Sequence, residues 1–328
     1  MPLNDASFPR FSSVKTLLNG LFDYAGLFPP AALPMPAALD EYLAHRAEPD
    51  DWMLGPFVIP VARLNELGAL ADRLSDESPI ALDLLPSPAD SVDSFCNSLQ
   101  SDLNTSLEFV ERMNGRVGLD SFEYRLPKDA LTSAASAVPA FSRIESVFRS
   151  AGLVHLPRYA EISRTDRFIQ ELPHYLLAIG AQQSAGLLRA KIRCGGMKEE
   201  DFPSLVELAS FLHAAIRTGQ PFKATAGLHH PLRHFNRSQA LTMHGFLNVF
   251  FAVTLGRMHN LDVEHLEQIL SDTNPDSFVF TNAGIEWNGL QASTTSFIQD
   301  RRALALSIGS CSFDEPRQDL RDLGWLTH

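Results

Sequence analysis

The sequence predicts an α/β fold, a (β/α)8 TIM barrel with an enlarged segment between its seventh and eighth strands. Three observations lead there. Short apolar runs alternate with helix-length segments along almost all of the 328-residue chain, the pattern of a parallel sheet wrapped in helices. Eight such runs start at intervals of roughly 25–40 residues, the spacing of βα units. In five successive runs the same alternate positions are polar, as if one face of each strand looked into a common interior.

Strands are expected at residues 20–24, 56–61, 80–85, 121–126, 158–163, 188–194, 222–226 and 304–310. The third to seventh show the alternation directly. Ile80, Leu82 and Leu84 oppose Asp83; Phe122, Tyr124 and Leu126 oppose Glu123 and Arg125; Ala160 and Ile162 oppose Tyr159, Glu161 and Ser163. Ala190, Ile192 and Cys194 oppose Lys191 and Arg193, and Phe222, Ala224 and Ala226 oppose Lys223 and Thr225. Helices are expected between them at 37–46, 64–74, 89–99, 128–148, 166–179 and 202–217. The stretch 231–302 is about twice a normal unit, and three helices are expected there, at 238–256, 263–271 and 293–304. Residues 277–281 (Ser-Phe-Val-Phe-Thr) read as a ninth strand, which leaves an open doubly wound sheet as the alternative. No low-complexity linker divides the chain, so one domain is expected over 1–328, with 231–303 as a helical insertion within it.

Composition bounds the function. With 45% hydrophobic and 20% charged residues the chain can bury a full core. A net charge of −12 without a Lys/Arg block argues against nucleic-acid partners and anionic membrane surfaces. A small anionic substrate stays open, because a local field can oppose the net charge. Cys96, Cys194 and Cys311 make no disulfide framework. Residues 1–10 are polar and lack the apolar stretch of a leader, and the longest apolar stretch, 245–255, is too short to span a bilayer. A cytoplasmic location with reduced thiols is expected.

If the polar face points inward, Asp83, Glu123 and Glu161 meet Arg125, Lys191, Arg193 and Lys223 inside the barrel. Interiors of this fold are ordinarily filled by Val, Ile and Leu. An unpaired buried ion costs several kcal/mol, so these charges must pair or line a wet pocket. Two lysines on consecutive strands, each followed by a small-residue or glycine turn (Lys191 before Gly195-Gly196, Lys223 before Gly227), resemble the deoxyribose-phosphate type of class I aldolase. The resemblance covers about 40 residues. It implies a Schiff-base amine at Lys191 and a second lysine at Lys223 that lowers its pKa, in a lyase that needs no cofactor. The competing role for both is electrostatic, clamping an anion or stabilising an enolate.

Active sites of this fold lie at the C-terminal ends of the strands. Those ends carry Asp23, a plausible substrate contact, the anion-holding Arg125 and Arg193, and the His229-His230 pair. Neighbouring histidines point apart, so one of the two, His229 as general acid/base, is expected in the site with Glu161; His230 is retained as a substrate contact. Gly309 and Ser310 could offer backbone N–H groups to a phosphate. His229 or His230 with Glu161, Asp83 or Asp314 could instead hold a divalent metal, although no zinc-protease spacing is present, and no metal ligand set is assigned. Cys194 and Cys311 read as structural, and 282–289 with Trp287 as a candidate lid. Three functions follow: a lysine-assisted, aldolase-like lyase on a small carboxylate- or phosphate-bearing carbonyl compound; a metal-dependent isomerase or hydrolase; and a non-catalytic ligand-binding barrel. The helix near 242–255 is apolar nearly all round and needs cover on every side, either from the insertion or from a second subunit in a homodimer.

Overall fold

The computed structural model describes residues 9–182, 187–237 and 240–327. The first eight residues, where a leader was sought, lie outside it, as do the first two positions of the helix expected from 238. Eight parallel strands close into a barrel: β1 (Phe22–Tyr24), β2 (Leu54–Pro60), β3 (Ile80–Leu85), β4 (Val117–Arg125), β5 (Pro157–Glu161), β6 (Leu187–Arg193), β7 (Phe222–Thr225) and β13 (Ala305–Ser310). Each neighbours its predecessor, and β13 seals β7 to β1. All eight expected strands are barrel strands. The open-sheet alternative falls because the sheet has no edge.

Helices sheath the barrel: α1 (Ser12–Leu18), α2 (Met35–Arg46), α3 (Leu64–Gly68), α4 (Val92–Met113), α5 (Ala134–Ser150), α6 (Phe168–Gly180) and α7 (Leu205–Thr218). Their starts are set locally. Ser91, Ser133 and Ser204 each cap a first turn in a reciprocal box with the residue three positions on, supplying acceptors for otherwise orphaned N–H groups. Gly219 ends α7 in the left-handed region. The apolar strand face packs outward on these helices, as where Tyr124 and Phe122 meet Phe95 and Phe148. No described helix is long and apolar enough to cross a membrane.

Between β7 and β13 the chain forms a hairpin of β8 (His234–Asn236) and β9 (Leu241–Met243), then α8 (Phe246–His259) and α9 (Val263–Ser271). A three-stranded antiparallel sheet follows, β10 (Phe278–Phe280), β11 (Gly284–Trp287) and β12 (Leu290–Ser293), then α10 (Thr294–Ala303); α11 (Asp314–Asp322) comes after β13. Two expectations change here. Residues 241–243 pair as a strand, so the helix begins at Phe246 and not at 238. The 277–281 run is a strand of the small sheet, not of the barrel. The lid expectation also falls: Trp287 is buried, and its indole N–H donates to Asp272 at 2.8 Å.

Helix α8 is buried from Phe246 to Gly256. Its own chain encloses it, through α7, α9, α10, β12 and β13, so its apolar circumference calls for no second subunit. Phe251 is its anchor, with ring contacts to Phe278 and Phe280 at 5.1 and 5.2 Å. Phe251→Ala is expected to cost about 3–5 kcal/mol, the usual loss for a fully buried phenylalanine. Urea unfolding at pH 7 measures it, and a loss under ~1 kcal/mol would mean that the insertion is loosely packed.

Candidate functional site

The strand register sets Arg125, Glu161, Lys191 and Lys223 side by side across β4 to β7. All four side chains start on the inner face, and Asp23, Asp83 and Glu123 join them from β1, β3 and β4. The result is a two-level ion network. At the lower level the Lys223 ammonium, wholly buried, sits among three carboxylates: Asp23 and Asp83 at 2.5 Å each, and Glu123 Oε1 in still closer contact. Ser307 donates to Asp23 at 2.8 Å, and the Tyr159 ring lies 5.4 Å from the ammonium. Gly55 makes room for this level, since a β-carbon there would overlap Asp23 Oδ1.

At the upper level Lys191 donates to Glu123 Oε2 at 2.8 Å and faces Glu161 Oε2 at 3.0 Å. The other oxygen of Glu161 accepts from Nε of Arg125 at 3.0 Å and from Nε of Arg193 at 3.3 Å. The arginines form the rim, their side chains 56% and 39% exposed.

These contacts fix the charge states. Burial alone would lower both lysine pKa values, but the carboxylates outweigh it: Glu123 and Glu161 raise Lys191, and Asp23, Asp83 and Glu123 raise Lys223 well above its ordinary range. Burial likewise works against the charge of Glu161, yet Lys191, Arg193 and Arg125 bring it down to about 2. Glu123 is held low by the two lysines against its burial. Burial lifts Asp83 far above the carboxylate range, helped by Glu123, and Asp23 to about 6 against the pull of Lys223. At the mouth the Lys191 ammonium and the guanidiniums of Arg125 and Arg193 surround the carboxylate of Glu161.

Above the network opens a cavity of about 220 Å³, lined by Glu123, Lys191, Arg193, Thr225, His229 and Cys311 among others. It shares Glu123, Lys191, Arg193, Phe28 and Leu85 with a second lobe of about 390 Å³ that extends along β2 to β5. Lys191 stands where the lobes meet. Lys223 lines neither and lies below the floor.

His229 closes the far wall. The Ser310 hydroxyl donates to the Ser312 carbonyl at 2.6 Å, so it accepts from His229 Nδ1 at 3.1 Å. That arrangement assigns the proton to Nδ1 and leaves Nε2 as the accepting nitrogen, with the Cys311 thiol 3.8 Å away. Burial, with His230 and His234 nearby, pushes the imidazole down to about 4, so it is neutral at pH 7. Cys311 was expected to be structural, yet it lines the cavity with Sγ 3.8 and 3.9 Å from the two ring nitrogens. Burial lifts the thiol to about 11. Cys194 faces the helix layer and is fully buried.

The remaining expected residues scatter. His230 turns from the cavity and bonds Asp319 at 2.5 Å. Gly309 lines the cavity, as expected of a residue that would offer its N–H there, and the Ser310 hydroxyl bonds His229 and Ser312. The Gly195-Gly196 turn spends its following amides on Asp201, which accepts from Met197 N at 3.0 Å and Lys198 N at 3.1 Å. Gly195 is needed for close approach, since a β-carbon there would come within 2.7 Å of Gly227 Cα. The one cluster with metal-ligating geometry among the described residues is Asp23, Asp83 and Glu123. It closes on the Lys223 ammonium, apart from both histidines. Asp314 bonds Arg317 instead. Tyr159, Ser307, Thr225 and Cys311 belong to the site and were not assigned to it from sequence. Strand parity points to the first three, whereas Cys311 lies past the strand end, where parity lapses.

No family model matches the chain, and no curated protein does. Among solved structures, it is similar to a deoxyribose phosphate aldolase from Aeropyrum pernix, at 12% identity over 94% of this chain and 93% of that one, with a TM-score of 0.49. It is similar also to a dihydropteroate synthase from Thermus thermophilus, at 12% identity over 81% and 90%, with a TM-score of 0.29. The barrel assignment rests on the strand pairing, and the chemistry on the residues themselves.

Two stability effects are expected. Lys223→Met leaves the buried Asp23 and Asp83 without their cation and Glu123 with Lys191 alone, and should cost about 3–5 kcal/mol at pH 7. The deficit should shrink toward pH 5 as the carboxylates take up protons. Glu161 has a folded pKa of about 2 against an ordinary 4.5. It therefore contributes about 3 kcal/mol that is present above pH 4.5 and lost as pH falls toward 2. Urea unfolding of Glu161→Gln beside the parent should show the gap narrowing over that window; a pH-independent gap would show that Glu161 acts by packing alone.

Proposed function

We propose that the protein is an aldolase-like lyase acting on a small anionic carbonyl compound, with Lys191 as a fixed ammonium and not as an imine-forming amine. The observation that carries this reading is the position of Lys191: an ammonium at the junction of two open lobes, held from below by Glu123 and from the side by Glu161, with two arginines at the rim. A purely structural ion network would fill its space; this one stops at a chamber.

Imine chemistry needs a neutral amine near pH 7. That requires Lys191 to fall about 3 units below its ordinary value near 10.4, roughly 4 kcal/mol of preference for the uncharged form. Its carboxylate partners push the other way. A charged ammonium can still polarise a carbonyl and stabilise the enolate formed from it, an interaction strengthened by exclusion of water. In a retro-aldol step, His229 Nε2 would take the proton of the β-hydroxyl. The bond between the α- and β-carbons then breaks, its electron pair forming the enolate whose oxygen faces Lys191, and the second carbonyl product departs. Return of the proton to the α-carbon completes the turnover. Lys223 acts from beneath by holding Glu123, and so positions Lys191 without touching substrate.

The test is solvent-deuterium exchange and C–C cleavage, followed by NMR, over a panel of β-hydroxy oxo acids and phosphorylated hydroxy carbonyls. Lys191→Met should lower the rate by about 100-fold or more, and Lys191→Arg less. The acid limb of the pH profile should fall near 4, where His229 takes up its proton. Borohydride treatment with the active substrate should add no mass at Lys191. A trapped adduct there would replace the ammonium mechanism by an imine, and undiminished turnover by Lys191→Met would remove the lysine from the chemistry.

A further inference from the structure

We propose that the anionic end of the substrate is held by Arg125 and Arg193 on the β4–β6 side of the mouth, with an apolar arm beside it, so that the substrate class is an oxo acid bearing an apolar side chain. The assignment rests on the chamber being the substrate site proposed above, though not on the reaction carried out there.

The arginines are the first ground. Each gives only its Nε to Glu161 Oε1. Among the described residues no partner is recorded for their terminal Nη groups. Sharing one acceptor oxygen keeps the two guanidiniums adjacent, and both line the larger lobe beside Lys191. Paired guanidinium forks match the two oxygens of a carboxylate. The exposed ends of Arg125 and Arg193, together with Lys191, outnumber Glu123 and Glu161 on this wall.

The opposite wall is the second ground. Among the described residues no Lys or Arg lines the recess beside the turn after β13. The Ser310 hydroxyl is spent on Ser312, His229 is uncharged, and the neighbouring turn amides serve Asp201. Carboxylates face this side from Asp201 in the cavity wall and Glu315 in the adjoining recess. An anion there meets repulsion with little compensation.

The third ground is the lining of the larger lobe. Away from its charged end it is built by Pro60, Ala62, Leu85, Pro86, Pro88 and Phe95. Ser87, its one hydroxyl besides Tyr124, is engaged through both backbone N–H and side chain by Asp102. The Tyr124 hydroxyl is itself buried. A polyhydroxylated arm would lose its water here and find few partners, whereas an alkyl or aryl arm gains from burial.

Calorimetric titration of the full chain tests this, with phenylpyruvate as the oxo-acid probe and glyceraldehyde 3-phosphate as the hydrophilic one. Phenylpyruvate should bind more tightly, and its affinity should fall as salt rises. Arg125→Met or Arg193→Met should each weaken it about tenfold or more, the worth of a charge-assisted hydrogen bond. Arg125→Lys should recover part of the loss. Lys198→Met, which removes an exposed rim cation already paired with Glu200, should leave affinity within about twofold. Each arginine variant removes one partner of the buried Glu161, so it should melt somewhat below the parent, and binding is measured well below the melting temperature of every variant. Undiminished phenylpyruvate binding by the double arginine variant overturns the subsite. Tighter binding of glyceraldehyde 3-phosphate, or no phenylpyruvate binding by the parent, overturns the substrate class. Lys191→Met separates the two readings: arginine-dependent binding that persists in it, without lyase activity in the parent, upholds the subsite while the proposed reaction fails.

Discussion

Glu123 is the side chain on which the interior depends. One of its oxygens meets Lys223 and the other Lys191, so a single carboxylate links the buried level to the one that faces the chamber. Each ion in such a place would cost several kcal/mol alone, and none is alone. Lys223 is surrounded by three carboxylates, and Lys191 by two. Truncating any member leaves a charge with too few partners, which is why the network behaves as a unit and not as a set of separable pairs.

Depth then divides labour between residues of the same type. Lys191 and Lys223 are cross-strand neighbours, equal in sequence context, yet one lines the cavity and the other lies beneath it. The difference lies in the partners that each meets, two carboxylates for Lys191 and three for Lys223. Asp23 reaches Lys223 because β2 carries glycine at position 55. Glu161 reaches Lys191 because β5 and β6 pair these two residues directly. The same logic separates the histidines. His229 is held inward by Ser310, and His230 outward by Asp319.

Period-two alternation made most of the barrel legible in the sequence. Each of the five polar-faced strands keeps the parity read from it, since one buried face and one polar face leave no freedom to slip by a residue. Partners were less legible. That Lys191 would be inward follows from parity; that Glu161 and Glu123 would both touch it depends on axial stagger, which no local pattern encodes. The insertion was read least well. The β10–β12 sheet consists of three- and four-residue strands that leave hardly any periodic signal, and residues 241–243 continue an apolar run that a helix would extend equally well. Cys311 escaped because its direction is set by the turn after β13 and not by the strand.

An interior of Val, Ile and Leu would stabilise a barrel of this size at least as well, because well-packed apolar replacements of buried ion networks are commonly neutral or stabilising. What the charged interior supplies is fixed polarity at an open chamber. The Lys191 ammonium is aimed before any ligand arrives, its counter-ions already placed; in the reaction proposed above, little reorganisation would then be needed as charge develops on a carbonyl oxygen. The same carboxylates that orient the lysine also keep it protonated. Orientation and nucleophilicity are therefore in opposition at this residue: any change that frees the amine to attack a carbonyl loosens the contacts that aim it. The geometry resolves that opposition toward orientation, and the rim arginines, anchored to Glu161 by Nε, extend the same arrangement to the solvent.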